Sequence, residues 1–140
     1  KNVSSVGVGD RVAFFKGFGA FAEKIVVPEA FAFPLPEELS FRLAGGMFMV
    51  YSTSLLALKQ RANIKEGDEV LVLGAAGGVG LAAVDLAKAY GARVVAAVST
   101  KEKAAVCNRY GVDDVVIYGT EKLDKEGQVF LGKELKAKSL

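Results

Sequence analysis

A glycine-rich stretch between an apolar segment and an amphipathic one limits the folds open to this chain more than any other part of its sequence. Residues 73–81 read Leu-Gly-Ala-Ala-Gly-Gly-Val-Gly-Leu. The segment before them, residues 69–73, has little polar interruption, as expected for a parallel strand covered on both faces. The segment after them, residues 79–90, repeats apolar residues at spacings of three and four, which is typical of an amphipathic helix. The stretch therefore predicts a strand that turns directly into a helix.

The same alternation continues on both sides of this turn, from about residue 46 onward. We predict helices over residues 50–61, 79–90 and 101–110, and strands over residues 69–73, 93–98 and 114–118. Gly91 and Gly111 follow two of these helices, where a left-handed C-cap belongs. A β-α-β-α-β run with short loops predicts an α/β fold, namely the first half of a doubly wound parallel (Rossmann) sheet. A short helix is also predicted over residues 132–139, in a polar, lysine-rich tail.

Residues 1–41 have a different composition, with seven of the nine phenylalanines and all three prolines. Residues 11–15 and 21–27 are short and β-prone, and glycine turns separate them. They suggest part of a small β-barrel or sandwich with too few strands to close it. We therefore predict two domains, residues 1–45 and residues 46–140, and a chain that is a piece of something larger.

Composition excludes several classes of function. Eighteen basic and sixteen acidic residues give a net charge of +2, too small for a nucleic-acid-binding surface. There is no histidine and a single cysteine, Cys107, so neither a disulfide framework nor a multi-cysteine zinc site can form. We predict that the chain binds no metal and that Cys107 is a packing residue.

No segment predicts export or a membrane partner. Residues 43–58 form the longest uncharged run, 16 residues, whereas a bilayer span needs about 20 mostly apolar residues. We predict that this run is a buried helix with its lead-in. The N-terminus lacks the apolar stretch of a signal peptide, which favours the cytoplasm, with the mitochondrial matrix as the alternative.

The glycine turn has the features that a dinucleotide requires. Its backbone N–H groups would face a diphosphate at a helix N-terminus, and glycines remove the Cβ atoms that would block its approach. Gly77 and Gly78 would permit that approach, while Gly80 would let the helix lie close to the strand. Ala75 stands where the usual first glycine would be, so the spacing is GxxGxxG. The alternative is a strand–helix turn that merely needs glycine.

The end of the second predicted strand discriminates between cofactors. NAD sites usually place a carboxylate there to bind the ribose hydroxyls, but this chain has Ser99 and Thr100, and its next acid is Glu102. A small hydroxyl leaves room for a 2′-phosphate, and Lys101 and Lys103 offer cations nearby. The residues favour NADPH over NADH. The alternative is that both lysines only form the solvated start of a helix.

The sequence resembles the medium-chain dehydrogenase/reductase superfamily, and within it the zinc-free NADPH quinone oxidoreductase (zeta-crystallin-like) branch. The matches are ordered segments between Gly9 and about Gly119: residues 9–12, 19–23, 33–36, 53–54, 67–72, 74–80, 88–92 and 111–113. The resemblance implies that residues 1–45 end a GroES-like β-barrel and that residues 46–140 begin a Rossmann domain. In relatives the cofactor lies in the cleft between these two domains.

The resemblance also implies a set of cofactor-binding residues. Those expected around the diphosphate are Ala76, Gly77, Gly78, Val79 and Gly80. Ser99 and Lys103 would meet the 2′-phosphate, Tyr118 would border the adenosine phosphate pocket, and Thr53 would lie near the nicotinamide. The alternatives are an ordinary strand-end aromatic for Tyr118 and a hydroxyl that bonds the helix backbone for Thr53.

The implied activity is hydride transfer from NADPH to a quinone or an α,β-unsaturated carbonyl, with the cofactor supplying the chemistry. The sequence identifies no proton donor. Tyr51 lies near Thr53, but a tyrosine at the start of a helix more often has a structural role. Met49 and Val50 stand near the position of a zinc-ligand cysteine in zinc-dependent relatives. We expect a homodimer in the full-length protein. Two alternatives remain: an enoyl-thioester reductase, which could be one domain of a synthase, and a non-catalytic NADPH-binding protein.

Overall fold

A computed structural model describes residues 3–119 of the chain, so the helix predicted over residues 132–139 lies outside the described residues. The chain divides into two compact units, Lys1–Phe48 and Met49–Leu140. One helix, α1 (Phe41–Leu55), continues from the first unit into the second. The predicted domain boundary after residue 45 lies within this helix and stays a prediction.

The first unit contains a two-stranded antiparallel sheet. Strand β1 (Val12–Phe14) pairs with β2 (Ala32–Pro34), which follows a 3₁₀ turn at Glu29–Phe31. The β-prone segment 11–15 therefore contains a strand, whereas the strand expected from residues 21–27 was wrong. Phe21 is fully exposed there, and the Val26 carbonyl accepts a hydrogen bond from the Lys16 ammonium at 2.8 Å. Strand propensity is realised only where a partner strand and a buried face exist.

Arg11 holds the turn that leads into α1. Its guanidinium donates to the carbonyls of Pro36 (2.9 Å), Glu37 (2.5 Å) and Leu39. It also lies 4.5 Å from the centre of the Phe41 ring, where a cation is attracted to the ring face. One side chain thus satisfies three turn carbonyls and contacts the first residue of the helix.

Helix α1 begins nine residues before the predicted start at residue 50, and a π-helical turn, Leu56–Arg61, continues it. The predicted start was wrong because the residues before 50, including Gly45 and Gly46, belong to the helix and not to its lead-in. Each glycine costs a helix only about 1 kcal/mol, and the Ser40 hydroxyl accepts a hydrogen bond from the Leu43 N–H in the first turn.

The expected burial of this helix is also not what the structure shows. Phe41 and Leu43 are each 62% exposed and Met49 is 55% exposed. The combined segment Phe41–Arg61 has 21 residues and a mean hydropathy of 1.3, and within residues 3–119 it is the one helix long and apolar enough to cross a membrane. Core helices of soluble proteins meet the same length and composition criteria.

The second unit contains a three-stranded parallel sheet with the order β3-β4-β5. Its elements are β3 (Glu69–Leu73), α2 (Gly78–Ala89), β4 (Arg93–Val98), α3 (Lys101–Arg109) and β5 (Asp114–Ile117). Every one of these bounds agrees with the prediction to within one residue. The predicted α/β class with a parallel half-sheet is confirmed, whereas the GroES-like assignment of the first unit stays a prediction.

The core of this unit consists mainly of alanine and valine. All five residues from Val94 to Val98 in the central strand are buried. Val84 and Ala87 of α2 and Cys107 of α3 pack in the same cluster as one face of β4. Cys107 is fully buried, and this burial raises the pKa of its thiol.

Charged side chains join the amino ends of the strands. The Asp113 carboxylate accepts hydrogen bonds from the Lys88 ammonium (2.8 and 2.9 Å) and from the Val94 N–H (2.6 Å), which lowers its pKa. Arg93 lies 3.2 Å from Glu69 and 3.8 Å from Asp114. Because the strands are parallel, their carboxyl ends meet at the opposite edge, where the glycine turn lies.

Candidate nucleotide-binding site

The glycine turn leaves β3 at Gly74, whose φ of +64° is in the left-handed region that glycine adopts readily. The Gly77 N–H donates to the Gly74 carbonyl at 3.0 Å, which closes the turn, and α2 begins at the next residue. No side chain caps this helix at Gly77. The first N–H groups of α2 and its positive dipole end therefore lack a side-chain acceptor, which suits an anion.

Gly80 brings α2 against the end of β3. A Cβ at this position would lie 2.5 Å from the Gly74 oxygen and 2.7 Å from the Ala75 Cα. No side chain fits at those distances, so the helix can approach the turn this closely only with glycine at position 80. This is the packing role that the sequence predicted for Gly80.

Gly78 has a close neighbour that the sequence did not indicate, and its predicted role at a diphosphate stays a prediction. The sequence assigned its missing Cβ to the approach of a diphosphate. In the structure, a Cβ at Gly78 would lie 3.1 Å from Cγ1 of Val50 on α1, whereas one at Gly77 would have an ordinary contact of 3.4 Å with the Gly74 oxygen. The space at Gly78 therefore accommodates the neighbouring helix.

A cavity of about 220 Å³ lies beside the glycine turn, at the carboxyl ends of the strands. Five predicted site residues line it together: Ala76, Gly77, Ser99, Lys103 and Tyr118. Gly74 and Val98 also line it and were not predicted, although Gly74 opens the glycine pattern and Val98 ends its strand. Whole ligand pockets usually measure about 300–1,000 Å³, so this cavity suits part of a dinucleotide, such as a phosphorylated ribose.

Ser99 and Lys103 form the charged wall of the cavity. The Lys103 ammonium donates to the Ser99 hydroxyl at 2.8 Å. The Thr100 hydroxyl caps α3 by accepting the backbone N–H of Lys103 at 3.3 Å, which fixes the turn carrying that lysine. Among residues 3–119, no carboxylate lines this cavity. The nearby Glu102 is exposed, and a hydrogen bond from the Thr100 hydroxyl lowers the pKa of its carboxyl group.

Tyr118 lies directly after β5. Its backbone N–H donates to the Val98 carbonyl at 3.0 Å, which extends the strand pairing by one residue. The half-buried side chain packs against the cluster formed by Val95, Ala97 and Val116. Its ring is thus held at the carboxyl edge of the sheet.

Four predicted residues do not line the cavity: Thr53, Gly78, Val79 and Gly80. The last three form the first turn of α2. Thr53 is exposed on α1, and its hydroxyl donates to the Met49 carbonyl at 2.7 Å, which is the backbone-bonding alternative considered for it.

Tyr51 is held by a carboxylate on the neighbouring helix. Its hydroxyl donates to Oδ2 of Asp85 at 2.7 Å. This hydrogen bond, together with partial burial, raises the pKa of Tyr51 to about 12. The phenol is therefore a poor proton donor at neutral pH, and its contact joins α1 to α2.

The residues that the structure describes do not fit a zinc ion. Within residues 3–119, no group of three or more histidine, cysteine, aspartate or glutamate side chains could hold a metal. The single cysteine, Cys107, is buried in the core rather than at the cavity. Zinc sites need three or four such ligands.

A parallel βαβαβ half-sheet with a glycine turn at its carboxyl edge defines this second unit as Rossmann-type, the class that binds dinucleotides. A family model described as zinc-binding dehydrogenase matches residues 78–136. The quinone oxidoreductase-like protein 2 homolog of Nematostella vectensis is 39% identical over 123 residues, which are 86% of this chain and 33% of that protein.

A solved structure supports the same assignment. The quinone oxidoreductase of Thermus thermophilus, described alone and in complex with NADPH, matches with a TM-score of 0.74 and 40% identity, over 81% of this chain and 38% of its own. A highly reducing polyketide synthase of Penicillium crustosum is 36% identical over 114 residues, which are 81% of this chain and 5% of the synthase.

These matches confirm the resemblance of the chain to the medium-chain dehydrogenase/reductase superfamily, with quinone oxidoreductases among the proteins that it matches. The chain spans about a third of the length of the curated quinone oxidoreductase relatives that it matches.

Proposed function

We propose that this chain belongs to an NADPH-dependent oxidoreductase that transfers a hydride to a quinone or an α,β-unsaturated carbonyl. One observation carries the proposal. The glycine turn, the Ser99 hydroxyl and the Lys103 ammonium meet at one cavity, and no described carboxylate lines it. Amide N–H groups, a hydroxyl and a cation are donors that suit phosphate groups.

The choice of NADPH rests on the wall formed by Ser99 and Lys103. A 2′-phosphate can accept hydrogen bonds from both side chains, and their 2.8 Å contact already places them side by side. A site for NADH would carry a carboxylate at this point to bind the free ribose hydroxyls. The described complex of the Thermus thermophilus relative with NADPH supports this choice.

The other predicted roles form part of the same proposal. The first turn of α2 and Ala76 would hold the diphosphate, Tyr118 would border the adenosine phosphate, and Thr53 would contact the nicotinamide. Thr53 would then keep its hydrogen bond to Met49 and use its remaining acceptor capacity. Residues 1–45 would end a GroES-like domain, and the full-length protein would be a cytoplasmic homodimer.

The nicotinamide, when bound, supplies the hydride. The residues of this chain bind and orient it. Uncapped N–H groups at the start of α2 would donate hydrogen bonds to the diphosphate, and Lys103 would fix the adenosine end. Correct positioning can contribute several kcal/mol to lowering a reaction barrier. The described residues supply no evident proton donor, since the Tyr51 hydroxyl is bound to Asp85.

The test measures NADPH and NADH affinity of the full-length protein by fluorescence titration. Lys103→Met and Ser99→Asp should each weaken NADPH binding about 10- to 100-fold, the range expected for charge-assisted hydrogen bonds. NADH binding should change little with Lys103→Met. Lys101→Met is the matched control, because Lys101 is in the same helical turn but does not line the cavity. Equal affinity of the unmodified protein for both cofactors, or an equal loss with Lys101→Met, would refute the assignment.

The similarity to a polyketide synthase favours an enoyl thioester as a second candidate acceptor. Steady-state rates with NADPH and either a benzoquinone or crotonyl-CoA separate the two candidates. A kcat/KM that is higher for the thioester would favour enoyl reduction. The absence of turnover with both, despite tight NADPH binding, would favour the non-catalytic alternative.

A further inference from the structure

Helix α1 contacts the first turn of α2 at two consecutive residues. Ser54 is 1% exposed and is the single buried polar side chain within residues 3–119. Its hydroxyl donates to the Val79 carbonyl at 2.8 Å. One turn earlier on α1, Cγ1 of Val50 lies 3.1 Å from the place of a Cβ on Gly78.

We propose that Val50 and Ser54 are positioning residues for the diphosphate of the dinucleotide. This inference rests on the proposed function. Neither side chain lines the cavity, so both would act through the glycine turn. The glycine pattern of residues 74–80 does not by itself indicate that a second helix supports this turn.

The physical basis is a clamp on three successive residues. Gly78 packs on Val50, Val79 accepts from Ser54, and Gly80 packs on the end of β3. Contacts from two sides fix the rotation of this turn about the axis of α2. They therefore fix the directions of the N–H groups that would meet the diphosphate. Donors held in place before binding cost less free energy to use than donors that must be ordered.

A first experiment asks which neighbour requires glycine at position 78. Gly78→Ala places a methyl group 3.1 Å from Val50, so one helix must shift by a few tenths of an ångström. We expect NADPH binding to weaken about tenfold, because overpacking of this kind typically displaces backbone. The double variant Gly78→Ala, Val50→Ala removes the clashing methyl group and should restore most of the affinity. A double variant as weak as Gly78→Ala would overturn the inference, since it would show that the ligand, and not α1, needs the space.

A second experiment removes the hydrogen bond. Ser54→Ala leaves the Val79 carbonyl without this donor, and NADPH affinity should fall about fivefold, as for the loss of one net hydrogen bond. Adenosine 2′-monophosphate has no 5′-phosphate, so its binding at Ser99 and Lys103 should be unchanged. Isothermal titration calorimetry of the full-length protein gives the affinity for each ligand, and the ratio of NADPH affinity to adenosine 2′-monophosphate affinity is compared between variants. Ser52→Ala, an exposed serine on the same helix, is the matched control.

The selective loss of NADPH affinity separates positioning from general destabilisation. If Ser54→Ala weakens both ligands equally, or if Ser52→Ala has the same effect, the inference is overturned. Retained binding of adenosine 2′-monophosphate also shows that the Ser54→Ala protein is folded. If that protein does not fold, the Gly78→Ala variant and its double variant with Val50→Ala still test the inference. A wild-type protein that binds neither ligand would instead overturn the proposed function itself.

Discussion

Replacing Gly80 by alanine tests the close approach of α2 to the end of β3. The new Cβ would lie 2.5 Å from the Gly74 oxygen, about 0.9 Å short of ordinary contact, and 2.8 Å from the Ala75 carbonyl carbon. All of these neighbours are backbone atoms, so no side-chain rotation can relieve the clash. The helix start must therefore move away from the turn.

The expected cost follows from two opposing effects. Overpacking costs about 1–3 kcal/mol, and alanine gains at most about 1 kcal/mol over glycine in a helix. With an unavoidable backbone clash, we expect the free energy of unfolding to fall by about 2 kcal/mol. NADPH affinity should fall as well, because the N–H groups of the same turn are displaced.

Urea unfolding followed by circular dichroism measures this change, with NADPH titration on the same samples. Gly45→Ala and Gly46→Ala are the matched controls. Both glycines are exposed within α1, and a Cβ there has no neighbour within 4 Å. They should raise stability by about 0.5–1 kcal/mol each. A Gly80→Ala protein that is as stable as its parent and binds NADPH equally well would refute the packing described above.

Three further predictions concern the other tethers. Tyr51→Phe loses the hydrogen bond to Asp85 and should lower the free energy of unfolding by about 1 kcal/mol. Because the folded-state pKa of Tyr51 is raised to about 12, this difference from wild type should be full below pH 10 and should shrink above it. Urea unfolding at several pH values checks this, and a difference that stays constant with pH would contradict it. Asp113→Asn should destabilise at neutral pH. Because the folded-state pKa of Asp113 is lowered, its difference from wild type should be full above about pH 4 and should shrink as the pH falls below the ordinary carboxyl range; the check is unfolding measured from pH 7 to 3, and a difference undiminished at pH 3 would count against it. Arg11→Lys cannot satisfy several carbonyls at once, so amide hydrogen exchange should accelerate around residues 36–41 and not in the parallel sheet; unchanged exchange there would be the contrary result.

The parallel half-sheet was predictable because its signals are local. Apolar runs mark β3 and β4, and glycines with φ of +77° and +75° end the two helices at Gly91 and Gly111, as the sequence indicated. A strand covered on both faces contains few polar residues wherever it occurs. Sequence spacing was therefore enough to give these elements to within one residue.

The start of α1 and the strand expected over residues 21–27 depend on long-range contacts instead. Arg11 reaches more than twenty residues along the chain to hold the turn before α1, and no local pattern encodes that contact. Residues 21–27 have β-prone side chains, but the partner of β1 is the later segment Ala32–Pro34.

The candidate site divides in the same way. Ser99, Lys103 and Gly77 could be placed from their positions after two strands of known order. The contacts of Gly78 with Val50 and of Val79 with Ser54 could not, since they depend on which faces of α1 and α2 meet. Helical periodicity identifies an apolar face but does not name its partner.

Because the single thiol, Cys107, is completely buried, its reactivity reports the opening of the core of the second unit. While the alanine- and valine-lined interior stays closed, Cys107 is hidden from alkylating reagents and has a raised pKa, so it contains little reactive thiolate. The rate at which Cys107 is alkylated therefore measures how often that interior opens. A ligand or substitution that stabilises the second unit should lower this rate.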